Sequence, residues 1–129
     1  MDRPSFEQLV KKALKRLPGK FRKHLHNISV EIEERPSPDL LADMGILRGT
    51  LFGLYQGVPL TERGWSYGNV LPDRIVIYQR PIEQAAVSAG DIEEIVSDTV
   101  IHEIGHYFGF DDAALYAMDS ERKRSKGKT

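Results

Sequence analysis

The chain contains no cysteine among its 129 residues, which excludes disulfides and any metal site built on thiolates. It also lacks an apolar run long enough to span a membrane. Its first stretch, Met1 to Leu17, threads charges between apolar positions, so no secretory leader is expected. A third scarcity is regional: residues 25–119 carry sixteen Asp or Glu, five Arg and no Lys. The basic residues gather at the ends, with eight Lys or Arg against two acids in residues 1–24 and five against one in residues 120–129. An acidic middle suits a cation site and a neutral or basic substrate. The basic ends are read as solvated surface, and binding to nucleic acid or membrane is not expected. A cytoplasmic setting is the simplest inference. At 129 residues, 40% hydrophobic and 29% charged, the chain is read as one globular domain over residues 1–120, able to bury its own core without a cofactor. Residues 121–129 form a basic tail, expected to be disordered.

The residues that carry chemistry lie in His102-Glu103-Ile104-Gly105-His106-Tyr107-Phe108-Gly109-Phe110-Asp111-Asp112. Positions four apart share one face of a helix, so His102 and His106 can aim their imidazoles at one ion. Glu103 falls one step round from that pair, where a carboxylate takes a proton from a water that the ion activates. A catalytic zinc uses three protein ligands and keeps one position open. The third ligand must therefore come from beyond the helix. Gly109 can supply the break, because glycine accepts the left-handed conformation that ends helices. An acid just past it, Asp112 or Asp111, can then return towards the ion. One Zn2+ per chain is expected.

Around this motif the pattern alternates helices and short strands. Ser5, with Gln8 three residues on, reads as a helix start, and Phe6, Leu9, Val10, Ala13, Leu14 and Leu17 recur at helical spacing until Pro18-Gly19. Ile28 to Glu33 alternates apolar and polar residues as a half-solvated strand does. Pro36-Ser37-Pro38 reads as a loop and Asp39 to Met44 as a short helix ending at Gly45. Leu51 to Tyr55 and Arg74 to Tyr78 read as strands, the second closed by Pro81. Between them Gly57 to Pro72 is a Gly- and Pro-rich connection long enough to suggest a role at the site. Ile82 to Gly90 has no clear pattern. Asp91 with Glu94 reads as a capping box opening a helix over 91–108 that carries both histidines. Ala113 to Ser120 is expected to form a short last helix.

The motif helix, the Gly109 turn and Asp112 resemble the zincin metallopeptidases that carry an extended His-Glu-x-x-His-x-x-Gly-x-x-Asp signature. The segments Leu54 to Arg63, Arg74 to Tyr78 and Thr99 to His106 resemble, in the same order, a small bacterial zincin-like metallopeptidase family long carried as a domain of unknown function. The likeness covers roughly residues 5 to 116. It implies an α+β, minimal zincin-like fold: a small mixed β-sheet packed on a long motif-bearing helix, with an N-terminal helix beside it. It also implies that Asp112 rather than Asp111 is the third zinc ligand. Arg74 to Tyr78 would be the edge strand along which an extended peptide binds by strand addition. Larger relatives have a histidine in place of Asp112 and a methionine turn beneath the metal. Met118 follows the ligands too soon for that role and is assigned to the core.

The activity implied is hydrolysis of peptide bonds, with zinc on His102, His106 and Asp112 and with Glu103 as general base. The group that would stabilise the oxyanion is left open among Tyr107, Tyr116, Tyr67, His24 and His26. Two rivals stand beside this reading. The zinc endoribonucleases that mature ribosomal RNA ends have a similar helix, but with histidine in place of Asp112 and no glutamate in place of Glu103. A zinc-binding module without turnover is the other, and in it Glu103 would have no task.

Overall fold

The computed structural model describes residues 1–25, 28–46, 51–57 and 73–109. Among them the elements run α1 (Arg3–Lys15), α2 (Gly19–Arg22), β1 (Ile28–Glu33), α3 (Pro38–Asp43), β2 (Gly53–Gln56), β3 (Asp73–Tyr78), α4 (Gln79–Ala85) and α5 (Ala89–Tyr107). The fold is α+β, a three-stranded mixed sheet packed on helices.

Helix α1 begins before Ser5. The Asp2 carboxylate caps it, accepting from the Ser5 backbone N–H at 2.8 Å. Pro4 sits in the first turn, where its missing N–H loses no helical hydrogen bond. Phe6, Val10 and Ala13 then fall on one buried stripe. The helix stops at Arg16, and Pro18 opens the single-turn α2.

The sheet order is β1-β3-β2, with β1 parallel and β2 antiparallel to β3. This corrects the expectation that Arg74 to Tyr78 is an edge strand: β3 is the central one, hydrogen-bonded on both sides. Its composition explains the placement. Ile75, Val76, Ile77 and Tyr78 are all at most 2% exposed, and a strand with no polar face is stable only when covered on both. Arg74 opens it by reaching both neighbours, bonding Glu31 and Glu33 of β1 and, at 2.8 Å, Gln56 of β2.

Strand β3 passes directly into α4. Pro81 therefore does not end structure here; it occupies the first turn of a helix, and the segment after it, unpatterned in sequence, is helical as far as Ala85. Helix α5 likewise starts earlier than Asp91. Ser88 is its cap, its hydroxyl accepting from the Asp91 N–H at 3.2 Å, while the Asp91 carboxylate reaches back to the Val87 N–H at 3.1 Å. Asp91 thus plays the acidic partner in the first turn, a position also favoured by the helix dipole. The helix ends as expected, with Phe108 as cap and Gly109 at φ 89°.

The core joins one face of the sheet to α1 and α5. Phe6, Val10, Ala13 and Leu17 from the α1 side meet Ile75 and Ile77 of β3 and Val96, Val100 and Ile104 of α5. With Ile82 of α4 beside them, these side chains fix α5 against the sheet along most of its length. Among the described residues no helix is long and apolar enough to cross a membrane.

Candidate metal centre

Three donors converge on the last two turns of α5. His102 and His106 are half-buried, one turn apart, with ring centroids 4.8 Å apart and planes at 80°. Glu103 lies beside them at 8% exposure. A carboxylate oxygen of Glu103 and one nitrogen from each imidazole all lie within 4.8 Å of one another. The chain therefore brings together the three motif residues singled out from sequence. Asp111 and Asp112, the candidate third ligands, lie outside the described residues, as do His26, Tyr67, Tyr116, Met118 and most of the Gly57 to Pro72 connection.

The donor set fits zinc. Without a thiol, the chain offers nitrogen and oxygen ligands only. A spread of 4.8 Å accommodates two imidazoles on a common ion and a carboxylate one hydrogen bond beyond it.

Glu103 is buried because β2 runs over it. The side of α5 formed by Thr99, Glu103 and Tyr107, all buried, faces that strand. Tyr55 of β2 meets Tyr107 edge-on, with centroids 6.1 Å apart. Gly53, near the other end of β2, lies against Thr99 and Glu103. Neither Gly53 nor Thr99 was picked out in the sequence. A glycine inside a strand pattern is the signal of close backbone approach that marks the first of them.

One of the expected oxyanion donors is accounted for: the Tyr107 hydroxyl donates to the backbone carbonyl of His24 at 3.0 Å. The His24 ring, itself another of those candidates, is exposed and meets Phe108 edge-on. Tyr78, at the end of β3, has its pKa raised, first by burial and then by the charges of Glu33 and Glu103, against an opposing effect of Arg74.

A helix bearing two histidines and a buried glutamate, packed beneath a small mixed sheet, defines the zincin type of metal centre. Residues 25–122 match the zincin-like metallopeptidases, and the chain belongs to that family. Among solved structures, a conserved hypothetical protein from Thermo thermophilus is similar at 25% identity, over 82% of this chain and 92% of that one, with a TM-score of 0.56. No curated protein matches the sequence.

Proposed function

We propose that the protein is a zinc-dependent peptidase, with one ion per chain held by His102, His106 and Asp112 and with Glu103 as general base. The observation that carries this reading is the buried Glu103 carboxylate beside two helix-borne imidazoles, all three donors within 4.8 Å. Asp112, which lies outside the described residues, is assigned on the resemblance of the sequence around Gly109 to the extended zincin signature.

Zinc bound there supplies Lewis acidity, lowering the pKa of a water towards about 7 and polarising the scissile carbonyl. His102 and His106 present their nitrogens on one face of α5. Glu103 takes the proton of the attacking water and passes it to the departing amine. Its burial under β2 shields that carboxylate from bulk water and strengthens its electrostatic contacts. A phosphodiester would bring further negative charge towards it, which favours peptide over RNA as substrate.

The peptide's place is proposed on β2. Among the described residues its edge away from β3 pairs with no strand, and the strand passes directly over Glu103. An extended peptide added there would draw its carbonyls past the histidines.

The test combines elemental analysis with a peptide-library digest. Expected are about one zinc per chain, loss of the ion in His106→Ala, and cleavage that stops in Glu103→Gln although its zinc is kept. Undiminished turnover in Glu103→Gln, or a wild-type chain that takes up no metal, overturns the reading.

A further inference from the structure

Gly53 is not glycine for the sake of its backbone angles. Among the described residues the positive-φ glycines are Gly45, Gly57 and Gly109, and Gly53 is not one of them. It sits at the start of β2, where glycine weakens a strand and gives it no side chain to pack. Space explains its presence. A Cβ at this position would stand 2.6 Å from Thr99 Cγ2, 3.2 Å from Glu103 Cγ and 3.2 Å from the Val76 carbonyl oxygen.

Of these three neighbours, two cannot yield. The Val76 carbonyl belongs to the central strand of the sheet. Thr99 is branched at Cβ, and its hydroxyl donates to the Ile95 carbonyl at 2.7 Å, so turning its methyl aside would forfeit that bond. What remains able to move is the Glu103 side chain or β2 itself. Either movement changes where the carboxylate stands relative to His102 and His106. If Glu103 rotates, it leaves the histidines; if β2 lifts, the cover over the carboxylate opens.

We propose that Gly53 is a positioning residue for Glu103: the missing side chain lets β2 lie directly on α5, and that contact holds the carboxylate at its working distance from the histidine pair. The proposal rests on the reading of Glu103 as the base.

The experiment compares the zinc-loaded full chain with Thr99→Ser, Gly53→Ala and the double variant Gly53→Ala/Thr99→Ser. Serine keeps the hydroxyl and removes the methyl that makes the closest clash, so the double variant restores folding where Gly53→Ala alone is too crowded. Three readouts are taken: zinc affinity by chelator competition, kcat and KM on a peptide the wild type cleaves, and crystal structures. Thr99→Ser is expected to behave as wild type. The double variant is expected to hold zinc as the wild type does and keep its KM, yet to lose roughly 10- to 100-fold in kcat. Its Glu103 carboxyl should be displaced from the histidines by a few tenths of an ångström. Wild-type kcat with Glu103 unmoved overturns the proposal and leaves Gly53 making room for Thr99 alone. Should the wild type cleave no peptide, the reading of Glu103 as base fails by itself. The crystallographic comparison still decides the positioning, and an unmoved carboxyl overturns it.

Discussion

Tyr107 and His24 are joined by a hydrogen bond of 3.0 Å from hydroxyl to backbone carbonyl, across 83 positions of sequence. The bond ties the last turn of α5, the one that carries His106, to the segment that leads into β1. A hydroxyl spent in this way is a structural one. Tyr107→Phe should therefore cost about 0.5–1.5 kcal/mol of stability while zinc affinity and turnover stay near wild type. Denaturant titration and kinetics on the same preparation check this. A collapse of kcat at unchanged stability would return the hydroxyl to the chemistry.

The third ligand separates two adjacent residues. Asp112→Ala should weaken zinc binding by more than the roughly 10- to 100-fold typical of losing a group that only supports a ligand, whereas Asp111→Ala should stay within that range. Competition with a calibrated chelator distinguishes them, and the opposite ranking moves the role to Asp111.

Lys12 of α1 and Glu93 of α5 form an ion pair of 2.6 Å, with Arg16 at 3.7 Å from the same carboxylate oxygen. The hydrogen bond from Lys12, and then its charge, hold the Glu93 pKa below the ordinary 4.5. A carboxylate depressed in the folded state contributes its stability in full above the unfolded value and loses it as pH falls through the folded one. Glu93→Gln should therefore be less stable than wild type at neutral pH, and the two melting curves should converge on acidification below 4.5. The pair is exposed, so the gap should be small and should shrink with added salt.

Much of this was legible in the sequence because period and punctuation agree. Ile28 to Glu33 alternates and is a strand; Gly109 follows a helical pattern and adopts φ 89°. The histidine spacing alone placed two imidazoles and a carboxylate together. Helix starts were less legible, since Asp2 and Ser5, or Ser88 and Asp91, are equally good caps on paper. Which of each pair leads depends on where the helix axis meets the core. Pro81 was misleading for a related reason: the same residue stops one element and is welcome in the first turn of the next. The central position of β3 is written in its unbroken apolar run, but strand order depends on pairings between distant segments. The contact at Gly53 could be suspected from a glycine in a strand pattern; that it touches Glu103 depends on how α5 crosses the sheet.

Strand order also has a consequence for how the chain assembles. Among the described residues, strand β1 pairs only with β3, Ile28 with Asp73, and β2 likewise pairs only with β3. On a ribosome β1 and β2, which do not pair with each other, emerge first, and among the described strands no ladder forms until the segment from Asp73 to Tyr78 arrives. Contacts so far apart in sequence close slowly. Until they do, two unpaired strand edges are open to neighbouring chains. Synthesis thus runs from one flank to the other, whereas assembly must run outwards from the middle.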